Sequence, residues 1–224
     1  MDTAERQPRK QGWRFALLAL VLAVAISGLV RSLWIDVYYI PSESMEPLLE
    51  TGDRILVSRT AFGDKPIARG DVVVFDGRGS FAPLSSGKGP LVDAVNAAGQ
   101  WFGLVGSDTT YVKRVLGIPG DHVQCCDDAG RVTVNGQAVE EPYLFPGDEP
   151  SKQKFDVVVP EGRLWLMGDH RSRSADSRAL LGAPGGGMVP IDRVIGKPVR
   201  IIWPLDRFAE MPRYPQATPT KNGH

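Results

Sequence analysis

One long apolar run constrains this chain more than any other feature. Phe15 to Val30 is apolar apart from Ser27 and Gly28, and after Arg31 the run resumes as Ser32-Leu33-Trp34-Ile35. A helix over 15–35 has about the length that crosses a ~30 Å hydrocarbon core. Arg31 lies near one end, where its stem can carry the charge to the headgroups. Trp13, Trp34, Tyr38 and Tyr39 stand where interfacial aromatics belong. Arg6, Arg9, Lys10 and Arg14 precede the run. That bias predicts a cytoplasmic N-terminus over 1–14, a single-pass anchor in the cell membrane, and an extracytoplasmic remainder in contact with the lipid bilayer. A basic start followed by Ala23-Val24-Ala25 also fits a cleaved secretory signal. Cleavage there would leave an N-terminus still apolar through Leu33-Trp34-Ile35, so the uncleaved anchor is the expected reading. No second apolar span follows.

Beyond the anchor the chain reads as short strands punctuated by turns. Strand candidates are 54–58, 72–75, 111–116, 131–134, 137–139, 155–159, 163–167 and 194–203, set off by Gly-Asp, Pro-Gly and Asn-Gly steps. Asn135-Gly136 between two such runs is the strongest short hairpin signal. The 25 glycines and 18 prolines favour turns over long helices. The pattern predicts a mainly β domain of twisted antiparallel sheets over 36–210. Residues 77–108 break it as an insertion rich in Gly, Ser and Pro. There Leu91, Val95, Ala98 and Phe102 recur at helical spacing, so a short amphipathic helix is possible. From Met211 to His224 few residues are apolar, which predicts a disordered tail.

Lys+Arg and Asp+Glu number 26 each, so no global charge points to nucleic acid as a partner. The two cysteines, Cys125 and Cys126, are adjacent. Neighbouring Cα atoms are about 3.8 Å apart, closer than an ordinary disulfide needs. The pair therefore reads as a reduced or vicinally bridged turn, neither a disulfide scaffold nor a zinc site. No metal or cofactor is expected.

Three segments carry chemistry. Ile40-Pro41-Ser42-Glu43-Ser44-Met45-Glu46-Pro47-Leu48-Leu49 holds two serines between prolines just beyond the apolar run. Tyr111-Val112-Lys113-Arg114-Val115 places a lysine in a strand, where alternation puts Tyr111, Lys113 and Val115 on one face. Gly168-Asp169-His170-Arg171-Ser172-Arg173-Ser174-Ala175-Asp176-Ser177-Arg178 is a polar cluster. A serine hydroxyl needs a base to become a nucleophile. Histidine is the usual one, and of His122, His170 and His224 only His170 stands in a suitable segment. A lysine serves instead if burial away from carboxylates lowers its pKa. On the strand pattern alone, an exposed Lys113 is the commoner outcome.

Together the three segments closely resemble the serine, lysine and support boxes of the bacterial type I signal peptidases. Pro41-Ser42-Glu43-Ser44-Met45-Glu46-Pro47 matches that family's Pro-Ser-x-Ser-Met-x-Pro. The resemblance implies a serine endopeptidase that removes signal peptides from secretory precursors after small residues, in the pattern Ala-x-Ala. It implies Ser44 as nucleophile, Lys113 as general base, and the Ser42 hydroxyl with the Ser44 N–H as oxyanion hole. Ser174 would hydrogen-bond and orient the lysine, while Asp176 and Arg178 pair to stiffen the site. Ile40, Pro41, Met45, Leu49, Tyr111 and Val112 match that family's substrate-pocket positions, and the precursor would bind as an added strand.

Glu43, Leu48, His170, Ser172 and Arg173 depart from the family's commoner residues without touching the dyad. Two other readings stay open at this point: a membrane-anchored serine hydrolase that uses His170 as base, and a non-catalytic paralogue that only binds signal peptides. A sortase-like enzyme is disfavoured, because Asp127 and Asp128 beside the cysteines raise a thiol's pKa.

Overall fold

A computed structural model describes residues 12–63, 65–81, 109–212 and 214, without the side chains of 29–33. Helix α1 runs Gly12–Leu33, and the strands follow as β1 Ile35–Tyr39, β2 Arg54–Ser58, β3 Val72–Asp76, β4 Thr110–Gly117, β5 His122–Cys125, β6 Val132–Val134, β7 Gln137–Ala138, β8 Phe155–Val158, β9 Arg163–Met167, β10 Val189–Pro190, β11 Val194–Trp203 and β12 Ala209–Glu210. The larger sheet has the order β1-β2-β11-β3-β4-β9-β10, with β12 on β11. The smaller one has the order β7-β6-β5-β8. All these pairings are antiparallel. The mainly β expectation holds.

The expected 15–35 span is corrected at both ends. Helix α1 begins three residues earlier and stops at Leu33, because the β-branched and aromatic run Ile35–Tyr39 pairs with β2. The described side chains of α1 end at Gly28, a stretch of about 25 Å at ~1.5 Å per residue. Among the described residues no helix is long and apolar enough to cross a membrane. The helix expected over Leu91 to Phe102 lies outside the described residues. Tail residues do pack. The Met211 N–H donates to the Val199 carbonyl at 3.1 Å, and Tyr214 lies against Tyr143 with ring centroids 5.8 Å apart.

Period-two alternation divides the core. On β9, Leu164 and Leu166 pack with Val73, Phe75 and Val115, while Trp165 and Met167 pack with Leu116 and the smaller sheet's Val123, Val132 and Phe155. A third cluster gathers Ile40, Met45, Leu49, Ile55 and Val57 beneath the serine segment. The Asn135-Gly136 turn adopts the positive φ values of 53° and 76° that a two-residue hairpin demands, and β6 and β7 pair across it. Cys125 and Cys126 form a vicinal disulfide at the end of β5.

Arg114 is the unusual core residue. Its Nε and Nη2 donate to Asp169 at 2.7 and 2.5 Å, its Nη1 donates to the Gly70 carbonyl at 2.8 Å, and its guanidinium lies 3.9 Å over the Tyr143 ring. Both charged side chains are essentially sealed from water. Asp169→Ala would strand a buried guanidinium and should cost about 3–5 kcal/mol. Thermal unfolding checks this, with an expected drop in Tm of about 10 °C.

Candidate active site

The serine segment is pinned from below. The Ile40 N–H donates to the Asp53 carbonyl and the Gly52 N–H to the Ile40 carbonyl, both at 2.9 Å. Ile40, Met45 and Leu49 are buried apolar anchors, and between them Glu43–Met45 forms a single 3-10 turn. Pro41 and Ser42 remain exposed, while Tyr111 and Val112 are half-buried. The turn holds Ser44 against β4, where its Oγ lies 2.7 Å from Lys113 Nζ. Ser42 Oγ is 3.3 Å from Ser44 Oγ, and Lys113 Nζ also reaches the Val112 carbonyl at 3.1 Å.

Only 3% of Lys113 is exposed, which decides its chemistry. Burial disfavours the ammonium form and pulls the pKa from 10.5 to about 8, despite the opposing charges of Asp176 and Asp169. Among the described residues no carboxylate pairs with it. As an ammonium Nζ donates to Ser44 Oγ; as a free amine it accepts the serine's proton.

Residues 168–178 form a wall packed on the serine turn. Asp176 accepts the Gly168 N–H at 3.0 Å and pairs with Arg178 Nε and Nη2, both at 2.8 Å. Burial pushes the Asp176 carboxyl up, but Arg178 and the Gly168 N–H hold it below the usual carboxylate range. Arg178 Nη2 also donates to the Arg171 carbonyl, and Arg171 pairs with buried Glu141. The hydrogen bond expected from Ser174 to Lys113 is not formed. Lys113 Nζ donates to Ser44 Oγ and to the Val112 carbonyl, while the buried Ser174 hydroxyl lies toward the Asp176 carboxylate, which it helps to hold below the usual range. His170 does not act on the Ser44 hydroxyl either. Its backbone N–H donates to the Ser44 carbonyl at 3.2 Å, and its Nδ1 faces the Glu43 carbonyl.

Residue-type reasoning passed over Gly168, though its place at the head of the polar cluster was a usable signal. A Cβ there would overlap the Ser174 hydroxyl and the Ser44 carbonyl. Arg114, Asp169, Arg171 and Glu141 were passed over as well, since charged residues carry no sequence mark of being buried. Gly168→Ala should push the serine turn off Lys113 and lower kcat for peptide cleavage by about 10²-fold, the scale on which small misplacements act. Steady-state kinetics with a melting curve checks this, and a fall in Tm without a fall in kcat would contradict it.

Comparison with known proteins shows the family. The family model described as signal peptidase, peptidase S26, matches residues 13–203. A probable signal peptidase I of Mycobacterium leprae is 36% identical over 238 residues, covering 93% of this chain and 82% of that protein. The signal peptidase I of Mycobacterium tuberculosis is 38% identical over 236 residues, covering 92% and 78%. A crystal structure of a signal peptidase I from Enterococcus faecalis is 24% identical, covers 59% of this chain and 97% of that one, and has a TM-score of 0.38. A family model over residues 13–203 and relatives 36–38% identical over more than nine-tenths of the chain lead to one assignment: the chain belongs to the signal peptidases of the peptidase S26 family and is a peptidase.

Proposed function

We propose that the protein is a membrane-anchored signal peptidase I that cleaves secretory precursors after Ala-x-Ala with a Ser44/Lys113 dyad. The observation that carries this reading is the 2.7 Å contact between the Ser44 hydroxyl and a buried amine whose pKa is drawn to about 8.

Ser44 Oγ attacks the scissile carbonyl as the free Lys113 amine takes its proton. The resulting oxyanion is met by the Ser44 N–H and the Ser42 hydroxyl, which lies 3.3 Å from Ser44 Oγ. The Lys113 ammonium then returns the proton to the leaving amine, which departs and leaves the signal segment esterified to Ser44. A water molecule, deprotonated by the amine, hydrolyses this ester. Asp176 and Arg178 keep the 168–178 wall rigid. Ser174 supports the dyad by packing against Gly168, since no hydrogen bond joins it to the lysine.

Binding of the precursor as an added strand is supported by the layout of β4. β3 pairs with it over Thr110–Arg114, whereas β9 joins only from Arg114 onward. Ile40, Pro41, Met45, Leu49, Tyr111 and Val112 would surround the small side chains of the cleavage site. Anchoring is supported by α1, whose Phe15, Leu18, Leu20, Val21, Leu22 and Val24 are all more than half exposed, and an N-terminus inside by Arg6, Arg9, Lys10 and Arg14 in the sequence before the apolar run. A helix apolar on every face needs lipid or protein to cover it.

The test uses detergent-solubilised protein and a precursor with an Ala-x-Ala site. Ser44→Ala and Lys113→Ala should each lose at least about 10³-fold in kcat, as dyad members acting as one unit do. Because the amine is the base, kcat/KM should rise with pH through about 8, where the ammonium gives up its proton. Near wild-type cleavage by either variant, or complete loss in His170→Ala while Lys113→Ala stays active, would overturn the dyad.

A further inference from the structure

His170 touches the nucleophile's turn at a point the mechanism above does not use. Its Nδ1 lies 3.2 Å from the carbonyl oxygen of Glu43. That carbonyl belongs to the same peptide unit as the Ser44 N–H, which the reading above makes an oxyanion donor. The Glu46 N–H donates to the same oxygen at 3.0 Å, so the Glu43 carbonyl, with two lone pairs, is approached by two groups. In the tautomer with its proton on Nδ1 the ring donates to this carbonyl, and the Glu46 carboxylate lies 3.6 Å from the same nitrogen. The ring is held in place from behind. It stacks on Phe145 with centroids 3.9 Å apart and planes within 9°, and the Phe145 N–H donates to the Asp169 carbonyl. Only 8% of His170 is exposed.

We infer that His170 is a positioning residue that sets the oxyanion hole by fixing and polarising the Glu43–Ser44 peptide. A peptide unit is planar, so a donor that locks its carbonyl also locks the direction of its N–H. Hydrogen bonds arranged in a chain strengthen one another, so a donor at the carbonyl makes the opposite N–H a better donor in turn. The effect belongs to the transition state, because only there does the substrate oxygen carry the charge that this N–H meets. The role needs a donor at Nδ1 and no proton transfer to Ser44, which separates it from a catalytic histidine. This inference rests on the Ser44/Lys113 reading.

Two substitutions separate donor from packing. Asn carries its amide nitrogen on Cγ, as His carries Nδ1, so His170→Asn keeps a donor facing Glu43 but loses the stacked ring. His170→Phe keeps a ring against Phe145 and removes the donor. Full-length wild type and both variants, in detergent, are compared on an Ala-x-Ala precursor. They are also compared on a peptide aldehyde ending in Ala-x-Ala, whose adduct with Ser44 places an oxyanion in the hole. For His170→Phe, kcat should fall about 10- to 100-fold with KM within about threefold, since a fully removed oxyanion donor costs about 10²–10³. Its aldehyde inhibition constant should rise by the same factor as kcat falls. His170→Asn should recover most of both losses. The inference is overturned if His170→Phe keeps kcat within about twofold of wild type, if its loss lies in KM alone, or if His170→Asn is the weaker of the two. Ser44→Ala, run alongside, keeps the two ideas apart. If it cleaves normally the underlying reading fails, and if it is inactive while His170→Phe is normal only the role of His170 fails.

Discussion

The contact between Lys113 Nζ and Ser44 Oγ organises the molecule, and it exists only because the lysine is sealed in. An exposed lysine at neutral pH is an ammonium that can donate to a serine but cannot take its proton. Enclosing the amine without a paired carboxylate tips the balance toward the free base, and the residual pull of Asp176 and Asp169 is too weak to reverse it. This explains why the neighbouring acids are occupied elsewhere. Asp176 is held by Arg178 and the Gly168 N–H, and Asp169 by Arg114. An acid free to approach Nζ would restore the ammonium and remove the base.

Those pairs also keep the three parts of the site in register. The serine turn comes from the segment after β1, the lysine from β4, and the wall from the stretch after β9. Nothing local in sequence joins them. Arg114, next to the base, ties β4 to Asp169, and the following residue's N–H reaches the Ser44 carbonyl. Gly168 lets the wall approach the turn so closely that no side chain fits between. A buried ion pair is weak evidence of net stability. Here its use is positional, since Arg114–Asp169, Arg171–Glu141 and Arg178–Asp176 all lie within or beside the segment that touches Ser44.

Much of this was legible in the residues, and the failures have physical causes. The strand runs, the Asn135-Gly136 hairpin and the three chemical segments stood out because alternation, turn residues and proline spacing are local signals. Strand β1 was concealed because Ile35 continues the apolar run, and a β-branched residue serves a membrane helix or a strand equally. Strands β10 and β12 are two residues long, too short for any period. The alternation at Tyr111, Lys113 and Val115 defined a shared face, yet burial of Lys113 depends on which distant segments cover it. The Ser174–Lys113 bond was expected from resemblance, but the Ser174 hydroxyl lies toward Asp176 and no bond joins it to Nζ. Met211 and Tyr214 read as tail because few apolar residues surround them, yet each found a partner in the folded domain.

Peptide cleavage by Ser44 turns on the protonation state of the Lys113 amine. The most direct measurement is an NMR titration of its side-chain nitrogen in the full-length protein, assigned by its loss in Lys113→Ala. A midpoint of about 8 is expected, and a shifted one in Gly168→Ala, where the covering wall is displaced. A midpoint at the ordinary lysine value of 10.5 would contradict it, because the amine could then not serve as the base for Ser44 near neutral pH.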